Sequence, residues 1–219
     1  MSRATVPLSR ATRLGLATAA SSRSVLAASF SWLVLLAAVY AADAGPPLSA
    51  LAFTAAALLP VAAWATAAQL AATSADLRQV LTAANGRARV LLADALPALL
   101  WLVAATTAAL VANIVLDPHP APLGDRILGA GLHLLCGCVG VALGLVLHAG
   151  RVSRGVQALI VIAGTLASAR LAWLPPAGPM LSTWGAGEHP GGPVATWALL
   201  GPVVVTAGLL ALTLRFRRR

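Results

Sequence analysis

The sequence predicts an all-α fold, a polytopic membrane bundle of six transmembrane helices with both the N and C termini in the cytoplasm. The chain is 59% hydrophobic, has a mean hydropathy of +0.88 and carries only 10% charged residues, which leaves too little polar surface for a soluble globule of 219 residues. Apolar stretches about long enough to cross a bilayer as helices recur along it. They are residues 25–42, 48–71, 90–116, 127–148, 155–173 and 194–214.

The orientation is predicted from the basic residues, all of which are arginine. Most of them lie before the first stretch, after the last one, or in every second gap between stretches: Arg3, Arg10, Arg13, Arg23, Arg78, Arg87, Arg89, Arg151, Arg154, Arg215, Arg217, Arg218 and Arg219. Cytoplasmic loops are enriched in arginine, so we expect these gaps and both termini inside, in a multi-pass protein of the cell membrane. Arg126 and Arg170 fall on the other side, with four of the six acidic residues.

The first element is an N-terminal segment, residues 1–24, of Ser, Thr, Ala and Arg with scattered leucines. It suits either a short helix at the cytoplasmic interface or a disordered segment. The apolar run that follows exceeds the 7 to 15 residues of a signal peptide, so we expect it to remain as the first span. Gly45, Pro46 and Pro47 then predict a tight outer turn into the second span.

The gap after the second span predicts a separate cytoplasmic helix over residues 73–86. Thr73 or Ser74 is suited to cap its start, and Asn85-Gly86 to end it in a left-handed conformation. An apolar stripe at helical spacing lies between them, while the other side is polar. The stripe consists of Leu77, Val80, Leu81 and Ala84, and the polar side of Asp76, Arg78, Gln79 and Thr82.

Polar and small residues within the next two spans have more than one interpretation. Asp94, near the inner end of the third span, is either an acid at a helix start beside Arg87 or Arg89, or a proton or substrate site. Gly140 and Gly144 of the fourth span form a small-xxx-small face. That face predicts close helix packing, either within the bundle or at a dimer seam.

The fifth span is predicted to be short or broken. The helix between Arg154 and Arg170 would reach about 22 Å, less than a hydrocarbon core of about 30 Å. The apolar, proline-rich residues 174–193 that follow predict an outer re-entrant segment before the sixth span. Such irregular backbone needs protein or water to satisfy its hydrogen bonds.

The sequence assigns no catalytic, cofactor-binding or metal-binding residue, and we expect no enzyme activity from the chain alone. It has no lysine, which excludes a phosphate-binding loop, and no HExxH or paired CxxC motif. Cys136 and Cys138 lie on opposite faces of one helix, and His133 and His148 lie about 22 Å apart along it. No nucleic-acid module is recognisable, so membrane lipids are the expected counterpart of the positive charge.

Taken together, these features resemble the permease subunit of an ABC type-2 transporter. The most specific part is the stretch TSADLRQVLTAANGRARVLLA at residues 73–93, which is similar to the coupling region of that family running into its third span. The resemblance implies an exporter in which a second permease chain, identical or not, completes the path. It also implies a separate cytoplasmic ATPase dimer that binds the ATP.

By that resemblance, the helix at residues 74–84 docks on the ATPase and couples to it. The residues it would use are Asp76, Leu77, Arg78, Val80, Leu81 and Ala84. The family usually carries an acid in this helix, and Asp76 is the candidate here. Two alternatives stay open: a non-transporting scaffold or anchor subunit of a membrane complex, and a haem- or quinone-linked subunit.

Overall fold

The computed structural model describes residues 13, 17, 21–42, 45–119, 121–185 and 193–216. Within these residues the chain forms eight α-helices and no strand. In chain order they are α1 (Arg23–Ala41), α2 (Pro47–Ala71), α3 (Ala75–Asn85), α4 (Arg87–Leu116), α5 (Leu123–Ala149), α6 (Arg154–Arg170), α7 (Ala177–Trp184) and α8 (Pro193–Phe216). The all-α prediction is confirmed. The N-terminal segment predicted for residues 1–24 lies mostly outside the described residues.

Helices α1, α2, α4, α5 and α8 are each long and apolar enough to cross a membrane. These five mark the chain as a multi-pass membrane protein with a helical bundle. They overlap five of the six predicted stretches. The remaining stretch forms α6, which ends at Arg170 after 17 residues.

The centre of the bundle is the contact between α2 and α5, the most extensive between any two helices described. Glycines of α5 allow it, because a Cβ at Gly140 would overlap the carbonyl oxygen of Leu59, and one at Gly144 would lie 2.7 Å from the carbonyl oxygen of Ala63. Small residues let two helix backbones approach closely and gain van der Waals contact. The two helices therefore meet backbone against backbone at these positions, with no room for a larger residue between them.

Helices α1 and α4 pack on one side of this pair. Trp32 of α1 is buried among Leu58, Leu102 and Leu145, and its indole Nε1 donates a hydrogen bond of 3.0 Å to the carbonyl oxygen of Ala105. A buried indole needs such a partner for its N–H. This bond holds α1 against α4 near the middle of both helices.

The two ends of the bundle differ. At one, which we call the α3 end, α2 finishes, α4 begins and α5 finishes. At the other, the α7 end, the short helix α7 is buried against the starts of α2 and α5 and against α8, through Met180 and Trp184. Ser168 near the end of α6 donates to the carbonyl oxygen of Leu174 (3.0 Å) and accepts from the backbone N–H of Ala177 (3.0 Å). The proline-rich segment is thus folded onto the bundle.

Candidate functional site

Helix α3 is formed by local signals at both of its ends. The side chain of Ser74 accepts a hydrogen bond from the backbone N–H of Leu77 at 3.4 Å, so Ser74 is the capping residue of the two that the sequence offered. Gly86 ends the helix with a φ of +80°, a conformation that glycine adopts without steric cost. That residue also precedes the first residue of α4, so the chain turns from α3 directly into a spanning helix.

The apolar stripe of α3 is divided between the bundle and the exterior. Leu81 and Ala84 are half-buried, whereas Leu77 is 37% exposed and Val80 is 64% exposed. Asp76 is also exposed. In the described part of the chain, two large apolar side chains at the α3 end therefore project from a capped helix beside a carboxylate. Apolar side chains in this position are stabilised when a partner or the headgroup region of a membrane covers them.

Arg78 connects α3 to three other helices. Its guanidinium donates a hydrogen bond of 2.9 Å to the carbonyl oxygen of Leu70 in α2, and another to Nε2 of His148 in α5. The same group lies 3.8 Å from a carboxylate oxygen of Asp94 in α4. The side chains of Arg78 and Asp94 are only 16% and 14% exposed, so this ion pair is largely shielded from solvent.

The cation that pairs with Asp94 differs from the two that the sequence suggested, Arg87 and Arg89. Both of those arginines are exposed, and the structure pairs Asp94 with Arg78. Asp94 lies in the third turn of α4, too far along the helix to act as its cap. Its backbone carbonyl oxygen accepts a hydrogen bond of 3.2 Å from Nε2 of Gln69, which joins α2 to α4 beside the ion pair.

Arg78, Asp94, Gln69 and His148 form one polar cluster at the α3 end. Two of its members, Gln69 and His148, were not singled out as site residues from the sequence. Asp94 provided the available signal, because an acid inside a spanning helix needs a nearby cation or donors. The sequence contains three arginines close to it in the preceding gap. Choosing among them, and finding His148, requires the packing of α5 against α2 and α4, which no local pattern reports.

Gly140 and Gly144 lie away from this cluster. The structure places them against Leu59, Ala62, Ala63 and Thr66 of the same chain's α2. Their small face is therefore filled by packing within the chain, and the dimer-seam interpretation has no free surface at these positions. A second copy would have to use another part of the bundle.

The two histidines of α5 are both engaged in hydrogen bonds. His133 is fully buried, with Nδ1 2.7 Å from the carbonyl oxygen of Gly129 and Nε2 3.1 Å from the hydroxyl of Thr54. His148 meets Arg78. The described residues contain no group of three or more His, Cys, Asp or Glu side chains that could hold a metal ion.

No protein-family model, curated protein or solved structure matches the chain. A functional assignment therefore rests on the chain's own residues.

Proposed function

We propose that the chain is the membrane permease subunit of an ATP-driven ABC exporter of type 2, coupled to a separate ATPase through α3. In this proposal it has six spans, with α6 as the fifth, and both termini and the α3 end in the cytoplasm. The single observation that carries the proposal is the construction of α3, a capped helix with exposed apolar residues whose arginine is bonded to three spanning helices. Such a helix can bind a partner with one face and act on the bundle with another.

The distribution of charge supports the orientation. Exposed arginines occur at the α3 end on α4 and around the start of α6: Arg87, Arg89, Arg151 and Arg154. The α7 end carries Asp117, Asp125, Arg126 and Arg170 among its described residues. An excess of arginine in short loops marks the cytoplasmic side, where ATP is available.

The proposal treats α6 as a spanning helix although it is short. At 1.5 Å per residue its 17 residues extend about 26 Å, slightly less than a hydrocarbon core of about 30 Å. Arg154 and Arg170 stand at its two ends, and long arginine side chains can reach the interfaces from there. Most of the residues of α6 are exposed, including Leu159, Ile162 and Leu166, as lipid or a second permease chain would require.

The test combines purification with substitution of the exposed stripe. The tagged chain is purified in mild detergent from its native membrane, and ATP hydrolysis and co-purifying proteins are measured. We expect an ATPase to co-purify, and Leu77→Glu/Val80→Glu to abolish its retention because charge would replace the apolar contact. The matched control is Gln79→Glu/Ala83→Glu, which places the same two negative charges on exposed residues outside the stripe.

The scaffold alternative makes the opposite prediction. A chain that only holds other membrane subunits together would co-purify with partners that do not hydrolyse ATP. With the double glutamate variant, those partners would either stay bound or be released, and ATP hydrolysis would not change. Recovery of the same amount of ATPase with the double variant would overturn the assignment of α3 as the docking helix.

A further inference from the structure

The Arg78 side chain reaches α2, α4 and α5 at once from α3. Its bonds to Leu70 and His148 and its ion pair with Asp94 come from three helices that converge at the α3 end. We propose that Arg78 is a positioning residue, which transmits displacement of α3 to these three spans. This inference rests on the proposed function, since it names the link between the docking helix and the bundle.

The hydrogen bond with Arg78 determines which nitrogen of His148 carries the proton. Arginine carries N–H donors and no acceptor, so Nε2 of His148 must accept the hydrogen bond through its lone pair. The proton of the neutral imidazole is then on Nδ1. A second proton on Nε2 would remove the acceptor and set an imidazolium against a guanidinium.

The net charge around this contact depends on the protonation state of His148. Asp94 of α4 is the carboxylate beside Arg78, while α2 contributes the Leu70 carbonyl and the Gln69 amide, neither of which titrates. Arg151 follows three residues after His148, and Arg87 begins α4. With neutral His148, the cluster pairs one arginine with one aspartate. Protonation of His148 adds a second cation to the same pair.

A flexible side chain at position 78 would transmit movement of α3 less directly than the arginine does. The Arg78 guanidinium is planar and rigid, so bonds to two helices and an ion pair with a third fix its orientation. Lysine would keep the charge opposite Asp94 but offers a single ammonium at the end of a flexible stem. We therefore expect Arg78→Lys to retain part of the link and Arg78→Gln to lose it.

The first measurement needs no ATPase. Hydrogen exchange of the α3 amides is followed by mass spectrometry in the full chain, corrected for intrinsic exchange rates, between about pH 8 and about pH 5, where histidine changes charge. We expect Arg78→Gln to speed α3 exchange at least about tenfold, the equivalent of about 1.4 kcal/mol, and acidification to do the same in the unaltered chain. His148→Gln keeps an acceptor for Arg78, so its α3 exchange should be slow and independent of pH.

The second measurement uses the complex with the co-purified ATPase. With Cys136 and Cys138 replaced, a single cysteine at exposed Leu123 reports the α7 end by its maleimide labelling rate with and without ATP. We expect the ATP-dependent change, measured in complexes that retain the ATPase and expressed per bound ATPase, to be lost in Arg78→Gln. Arg89→Gln removes an exposed arginine at the same end and serves as the matched control.

The outcomes separate the two proposals. Bound ATPase with a normal ATP-dependent change in Arg78→Gln would overturn the role of Arg78 and leave the proposed function standing. Absence of any ATPase, together with the predicted exchange of α3, would overturn the proposed function and leave Arg78 as the residue that positions α3. Unchanged α3 exchange in Arg78→Gln and at low pH would overturn the inference on its own.

Discussion

His133 of α5 and Thr54 of α2 are hydrogen bonded to each other at 3.1 Å in the fully buried centre of the bundle. The carbonyl oxygen of Gly129 accepts from Nδ1 of the same ring, so in the neutral imidazole Nε2 is the acceptor. The Thr54 hydroxyl is the donor that faces it, and its single proton is shared with the carbonyl oxygen of Ala50, 2.9 Å away. The ring of Trp32 stands edge-on to the imidazole, with centroids 6.4 Å apart. One polar contact therefore joins the two central helices beneath an aromatic residue of α1.

Replacing Thr54 with valine removes this donor and leaves a buried ring nitrogen without its partner. We expect Thr54→Val to lower the free energy of unfolding by about 1–3 kcal/mol, measured by thermal or SDS unfolding of the purified chain. Thr54→Ser retains the hydroxyl and should stay close to the unaltered chain. Equal stability of the valine and serine variants would show that the hydrogen bond contributes nothing.

The same substitution at two glycines of α5 should have opposite effects. A Cβ at Gly144 would lie 2.7 Å from the Ala63 carbonyl oxygen and 2.8 Å from Cβ of Thr66, so Gly144→Ala must separate α2 from α5, at a cost of about 1–3 kcal/mol. A Cβ at Gly131 meets nothing within 4 Å, and alanine favours the helix by up to about 1 kcal/mol there. SDS unfolding of both variants distinguishes them, and a harmless Gly144→Ala would contradict the packing.

Ser168 should control the order of the segment between α6 and α7. Ser168→Ala removes the acceptor of the backbone N–H of Ala177, the buried first residue of α7, and the donor to the carbonyl oxygen of Leu174, three residues before that helix. We expect faster hydrogen exchange at the start of α7 and a loss of about 1–3 kcal/mol in local stability. Thr165→Val removes a hydroxyl that bonds only within α6, to Val161, and should leave α7 protected.

Cysteine labelling tests the orientation and the crossing of the membrane by α6 together. In a chain without Cys136 and Cys138, Ser153→Cys and Trp173→Cys lie at exposed positions flanking α6. We expect a membrane-impermeant maleimide to label Trp173→Cys in intact cells, and Ser153→Cys only after permeabilisation. Labelling of both in intact cells would mean that α6 does not cross the membrane.

The elements of the fold that could be predicted from the sequence are those determined by residues close together in the chain. Five spans follow from apolar length alone, and the limits of α3 follow from Ser74 and Gly86, whose side-chain oxygen and permissive φ act within a few residues. Of the predicted outer segment at residues 174–193, residues 186–192 lie outside the described ranges, and α7 forms most of the part that precedes them. That α6 crosses the membrane as the fifth span stays a prediction.

The candidate site was predictable only in part. The apolar stripe of α3 is visible in its spacing, whereas Arg78 and His148 are 70 residues apart and meet because α5 packs beside α2 and α4. Pattern reasoning put Arg78 on the polar, outward side of α3. The structure turns it toward the bundle, since three helix ends offer it a carboxylate, a carbonyl and an imidazole.

The close contact of α2 with α5 has a consequence for any cargo. Where Gly140 and Gly144 lie against the backbone of α2, the middle of the bundle is solid, so no passage runs between these two helices. Under the proposed function, a transported molecule would move along the outside of this chain, with a second subunit as the opposite wall. The chain is then half of a conduit, and rigidity at its axis lets it move as one body against its partner.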